Sequence, residues 1–92
     1  MKDRIYCTDG VSLSVQVSMF HYCTPRVDDI RDWSEYTEVE VGFIEDSEGK
    51  ATSPPESWSD CADGDFPSDI YAYVPVKRVE EFIKAHGGER VK

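Results

Sequence analysis

Hydrophobic and polar positions alternate cleanly near the start of the chain. Val11, Leu13, Val15, Val17 and Met19 point one way, and Ser12, Ser14, Gln16 and Ser18 the other. A period of two held this long predicts a strand with one buried and one solvated face. Phe20 and Tyr22 interrupt the polar set, so the far end of this strand is expected to be covered on both faces or exposed for binding. A shorter β-like run, Arg4 to Cys7, precedes it. Thr8-Asp9-Gly10 lies between, and Asp-Gly between two β runs is a strong turn signal. The two runs therefore predict an N-terminal hairpin.

A second alternation covers Tyr36 to Ile44. Thr37, Val39, Val41 and Phe43 form its predicted core face; Tyr36, Glu38, Glu40 and Gly42 face the other way. Between the alternations, Cys23-Thr24-Pro25-Arg26 ends the earlier strand, because proline donates no ladder hydrogen bond. Residues 27–35 read as an acidic loop around Trp33, with room for a helical turn. From Glu45 to Pro67 periodicity is lost; a loop of that length in a small domain is usually functional or mobile. Ile70 to Val74 predicts a further strand. Pro75 suits the first turn of a helix, and Val76, Val79, Phe82, Ile83 and His86 recur at helical spacing. Gly87-Gly88 marks its stop, and Lys84 suits the negative end of the helix dipole. The expected fold is α+β: one domain over residues 1–92, an antiparallel sheet of three to four strands, and a C-terminal helix packed on one face.

Charge changes the picture more than composition does. The net charge is −9 over 92 residues. From Val27 to Val76 there are 14 acids against two bases, Arg31 and Lys50, while the flanks are net +3. Phosphate binding needs Lys and Arg to displace counterions, so nucleic acid is excluded as the expected direct partner. A basic protein surface is favoured, with charge attraction speeding the encounter. Plain solubility explains the net charge as well; the clustering is what adds the binding reading. No apolar run reaches the ~20 residues needed to cross a membrane, and no apolar stretch follows Met1-Lys2-Asp3-Arg4. The expectation is a cytosolic protein without a secretion signal or membrane partner.

Chemistry-bearing motifs are scarce. No nucleophile elbow, P-loop, dinucleotide fingerprint or H-E-x-x-H is present. His21 and His86 are the only histidines. No set of residues fills the roles of a nucleophile, base and oxyanion stabiliser, so an enzyme is not expected and neither is a cofactor. Cys7, Cys23 and Cys61 are an odd set, which argues against a disulfide framework. Reduced, partly buried thiols are one reading; zinc held by these three and His21 is the other, without the C-x-x-C knuckle that structural zinc sites usually show. Asp60, Asp63, Asp65 and Asp69 cluster around Gly64, but the order D-x-x-D-G-D is not that of an EF-hand.

The remaining constellation is acidic surface with interleaved aromatics. Glu38 and Glu40 alternate on a strand and stand about 6.6 Å apart along it, roughly the axial length of two nucleotides at ~3.4 Å each. Carboxylates so placed can stand in for phosphates. Asp28, Asp29, Asp32, Glu35, Glu45, Asp46 and Glu48 extend the patch, and Asp60, Asp63 and Asp65 continue it along the loop. Trp33 and Trp58 lie within it, and two readings stay open for them: anchors, since aromatics are favoured at interfaces, or caps on the edge of the small core. For Phe66 a place at the edge of the core is the preferred reading.

Val11-Ser-Leu-Ser-Val-Gln-Val-Ser, His21-Tyr-Cys-Thr-Pro-Arg26, Tyr36-Thr-Glu-Val-Glu-Val-Gly-Phe43 and Ile70-Tyr-Ala-Tyr-Val-Pro-Val76 through His86-Gly-Gly88 resemble small proteins of phages and prophages of enteric bacteria. In size, acidity and sheet-plus-helix pattern the chain also resembles phage anti-CRISPR proteins. That resemblance implies an inhibitor that occupies a basic surface of a host CRISPR surveillance complex, most plausibly type I, and blocks guide or target nucleic acid. The alternative is a small adaptor module binding through Phe20, Tyr22 and the aromatic loop.

Overall fold

The computed structural model describes residues 2–17, 22–24 and 33–90, with Lys2 and Asp3 described by their backbone alone. Four strands form one antiparallel sheet in the order β1-β2-β3-β4. They are β1 (Lys2–Tyr6), β2 (Ser12–Gln16), β3 (Glu38–Glu45) and β4 (Ile70–Pro75). The expected hairpin is β1–β2, with Ile5 opposite Leu13. Its turn is closed by the Gly10 N–H on the Cys7 carbonyl at 3.0 Å, and the Asp9 carboxylate accepts the Val11 N–H at 3.0 Å.

Helix α1 (Val76–Ala85) follows β4 without a loop, with Pro75 as its N-cap residue. Ten helical residues rise about 15 Å. Three strand-to-strand spacings of about 4.8 Å make about 14 Å. The helix is therefore long enough to cross from the β4 edge to the β1 edge, and its end meets the β1–β2 turn there. Val76, Val79, Phe82 and Ile83 are buried, as the spacing predicts. They join Ile5, Leu13, Val15, Val39, Val41, Ile44, Tyr71 and Val74 in one core. The helix stops in a Schellman arrangement: the Gly88 N–H reaches the Ile83 carbonyl at 2.9 Å and the Gly87 N–H that of Lys84 at 3.1 Å. Gly87 has φ +89° and a Cβ there would collide with Thr8 Oγ1, so both backbone and packing require glycine.

Both sheet edges are partly closed. The tail returns along β1, with the Arg90 N–H on the Tyr6 carbonyl at 2.6 Å and the Thr8 N–H on Gly88 at 2.9 Å. Beside β4, Ala62 pairs with Tyr71, and the Asp63 N–H reaches the Ile70 carbonyl at 2.9 Å. Covered edges resist pairing with other chains.

The structure corrects three expectations. First, the polar face of β2 is not solvated: Ser12, Ser14 and Gln16 are buried, as is Glu40 of β3. Arg4 lies over this face, donating to Ser12 Oγ at 2.8 Å and pairing with Glu45 at 3.0 Å. Gln16 donates to Ser14 at 3.1 Å, and Ile70 Cδ1 stands 2.9 Å from where a Gly42 Cβ would be. Ser18, Met19 and Phe20 lie outside the described residues, as do 25–32.

Second, the phase of β3 changes twice. Tyr36 is buried and Thr37 exposed, the reverse of the expected set. Opposite Ser12 and Ser14, β3 carries an extra residue, so Phe43 leaves the core while Ile44 enters it. A bulge shifts a strand's inside–outside alternation by one, and a period of two cannot reveal it.

Third, residues 45–67 are largely built into the domain. Glu45 belongs to β3, and the Asp46 carboxylate closes a turn by accepting the Glu48 and Lys50 N–H groups at 2.9 and 3.0 Å. The Thr52 N–H reaches Ile44 at 2.9 Å. A 3-10 turn, Glu56–Cys61, then delivers Trp58 into the core. A shorter 3-10 turn, Trp33–Glu35, lies in the expected acidic loop.

Candidate functional site

The predicted acidic patch is divided by the fold. Glu40 is 8% exposed and accepts the Tyr22 backbone N–H at 3.1 Å. It therefore holds the chain at Tyr22 and keeps its carboxylate out of solvent. Glu38 is half-buried and accepts the Thr24 hydroxyl at 2.7 Å. With Glu40 buried, the two-carboxylate ladder that would mimic successive phosphates is not presented to solvent as a pair. Glu45 is bound to Arg4, and Asp60 to Arg78 at 2.8 Å. The guanidinium hydrogen-bonded to Asp60 holds that carboxyl below its ordinary range.

Trp58 is also withdrawn. It is 2% exposed, with its ring 5.9 Å from Tyr71 and 5.6 Å from Phe82, so it is a core residue and not an anchor. Trp33 is half-buried against the same core. Phe66 packs on the core as expected, 6.2 Å from Tyr71. Glu35 is exposed. Asp28, Asp29 and Asp32 lie outside the described residues.

Glu35 apart, the exposed carboxylates of the predicted patch among the described residues gather on the β3–β4 connection. Glu48 is exposed, with Lys50 at 3.7 Å; so weak and solvated a pair leaves most of its field open. Asp63 and Asp65 are exposed, together with Glu56 and Asp69, which the sequence reading did not include in the patch. The loop from Asp63 to Ile70 is pinned at its neck. The Asp63 N–H bonds Ile70 O at 2.9 Å, the Ser68 hydroxyl donates to Asp63 O at 2.9 Å, and the Ser68 N–H donates to the Tyr71 hydroxyl at 3.0 Å. Three aspartates are thus carried on one anchored loop.

A second surface is aromatic. Tyr22 and Tyr73 are 44% and 39% exposed, with ring centroids 5.8 Å apart, and the Tyr73 N–H reaches the Tyr22 carbonyl at 3.0 Å. Tyr73 sits where β4 carries an extra residue against β3, and its φ is +52°. Phe43 at the β3 bulge has φ +51° and is 51% exposed. Glycine is the usual occupant of such positions, and a bulky residue there costs of order ~1–3 kcal/mol. Sequence reasoning missed Tyr73 because nothing local announces a bulge.

A third feature is the pair Asp9 and His86, with Oδ2 and Nδ1 2.6 Å apart. The Val11 N–H, followed by His86, holds the Asp9 carboxyl below its ordinary range. A cleft of about 340 Å³ borders His86, Phe82, Trp58 and Arg78. Aspartate orients the imidazole as in an acid–base dyad. Among the described residues, though, no hydroxyl or thiol bonds that ring.

The thiols are quiet. Cys7 and Cys23 are buried, Cys61 is half-buried, and none of the three is in a disulfide. Burial pushes the Cys7 and Cys61 thiols up from their ordinary value, and a protonated thiol is a poor nucleophile and ligand. Among the described residues no group of three or more His, Cys, Asp or Glu is placed to hold a metal ion. Neither the three cysteines nor the four aspartates around Gly64 form a site; His21 lies outside the described residues. No helix among the described residues is long and apolar enough to cross a membrane. Comparison with protein-family models, curated proteins and solved structures found no match.

Proposed function

We propose that this chain is a phage-type anti-defence inhibitor. It works by binding and not by catalysis: it occupies a basic nucleic-acid-binding surface of a host complex, a type I CRISPR surveillance complex above all, and blocks guide or target nucleic acid. The observation that carries the reading is the charge between Val27 and Val76, 14 acids against two bases. Its exposed members among the described residues are Glu35 and, on the connection between β3 and β4, Glu48, Glu56, Asp63, Asp65, Asp69 and the Arg78-paired Asp60. Carboxylates on an anchored loop lose little conformational freedom on binding and steer a basic partner from a distance. This reading places the protein in the cytosol of an infected cell.

Affinity capture from a host lysate, followed by mass spectrometry and a gel-shift assay, tests it. A nucleic-acid-binding subunit that loses its nucleic acid when the chain is added supports the reading. A captured partner that keeps full nucleic-acid binding with the chain attached overturns it. A second reading, an adaptor that binds through exposed aromatics, is favoured by Tyr22. It predicts a partner whose affinity barely changes with salt.

A further inference from the structure

We infer that Tyr22 and Tyr73 form a receptor for an arginine side chain of the partner. The inference rests on the proposed binding to a basic protein surface and names the contact that surface makes. Three observations converge on this pair. The rings are tilted by 38° with centroids 5.8 Å apart, and both are well exposed. A guanidinium over a tyrosine face within ~6 Å of its centroid is held by the ring quadrupole and stacks flat on it.

Glu38 lies between the two segments that carry the rings. Thr24, two residues beyond Tyr22, pairs with Glu38 on one side, and Pro75, two residues beyond Tyr73, pairs with it on the other. Glu38 is half-buried, which shields a carboxylate–guanidinium contact from salt. Glu40, bonded to the Tyr22 N–H at 3.1 Å, adds negative charge beneath the pair.

Tyr73 is also held at φ +52°, where glycine would be free of strain. An exposed ring kept at a strained position contributes little to the core, which points to a use at the surface. Strain alone does not name that use: Phe43 has nearly the same φ and greater exposure. The neighbouring ring and carboxylates are what distinguish Tyr73. Arginine is favoured over lysine because its planar group can stack on a ring and meet a carboxylate edge together, whereas an ammonium is a compact point charge.

The test uses two acetylated peptides of equal length and charge, one of Gly-Arg repeats and one of Gly-Lys repeats. Each is titrated into the full chain and followed by amide chemical shifts and by affinity. The expected result is tighter binding of the arginine peptide, with shifts at Tyr22, Tyr73 and Glu38. Tyr73→Gly should weaken that binding about tenfold, the scale of an interface aromatic, while its unfolding midpoint stays level or rises. Phe43→Gly should leave binding unchanged. Tyr22→Ala should repeat the loss if Tyr73→Gly folds poorly. Equal binding of the two peptides with no loss in Tyr22→Ala overturns the receptor but leaves the acidic-surface reading standing. Failure of both peptides to bind at low salt overturns both.

Discussion

Glu40 accepts the backbone N–H of Tyr22 at 3.1 Å. The bond ties the chain between β2 and β3 to the centre of β3, and it removes from solvent a carboxylate that the alternation of Tyr36–Ile44 places outside. Glu40→Ala leaves that N–H without its partner and is expected to destabilise the fold by about 1–3 kcal/mol. Glu40→Gln keeps an acceptor oxygen and should cost clearly less. Urea unfolding of the two variants checks this; equal losses would show that the bond is not what matters.

Trp58 provides a second check on what belongs to the fold. It stacks edge-on to Tyr71 and against Phe82, so Trp58→Ala should cost about 3–5 kcal/mol. That is a large part of the stability of a domain this small. Its fluorescence should be that of a buried indole, with a red shift on unfolding. A Trp58→Ala chain of native stability would move the residue back to the surface.

The pH response follows from Asp9 and Asp60, both held below the ordinary carboxyl value of 3.8. In the unfolded chain these groups take up protons at higher pH than in the folded one. The stability they contribute is therefore present above about pH 4 and lost as the pH falls below it. Asp9→Asn and Asp60→Asn should each flatten the acid side of a plot of thermal midpoint against pH. An unchanged acid limb in both variants would contradict the assignment.

At alkaline pH the thiols act in the opposite sense. Burial raises Cys7 and Cys61 above their ordinary value of 9.0, so the unfolded chain loses these protons first and stability falls as the pH rises past that value. At pH 8 a thiol reagent should leave Cys7 and Cys23 untouched in the folded chain and reach Cys61 slowly. Reaction of all three at the rate of a free thiol would be inconsistent with their burial.

The strands, the hairpin turn and the amphipathic helix were legible because each rests on a local signal: alternation in Val11–Val17, Asp-Gly at 9–10, helical spacing from Val76 to Ile83. The site was less so. Side-chain pairs such as Asp9 with His86, 77 positions apart, Arg4 with Glu45, or Asp60 with Arg78 arise only when distant segments meet. Each changes what a carboxylate offers to solvent. The positive-φ positions at the two bulges are held by Phe43 and Tyr73 and not by glycine, so the alternation ran through Phe43 and put it in the core. For Trp58 the sequence left anchor and core edge equally open, because its neighbours in sequence are polar. It is buried because a 3-10 turn aims it at Tyr71 and Phe82.

The central claim is that exposed carboxylates on the β3–β4 connection make the contact with a basic partner. The most direct measurement is the affinity of the captured partner across a range of salt concentrations, for the native chain and for Asp63→Lys/Asp65→Lys/Asp69→Lys. These aspartates are exposed, so the triple variant should fold normally. The account predicts native affinity that falls steeply as salt shortens the screening length from about 30 Å at 0.01 M to about 8 Å at 0.15 M, and a variant at least ~100-fold weaker at low salt. Affinity insensitive to both salt and charge reversal would contradict it.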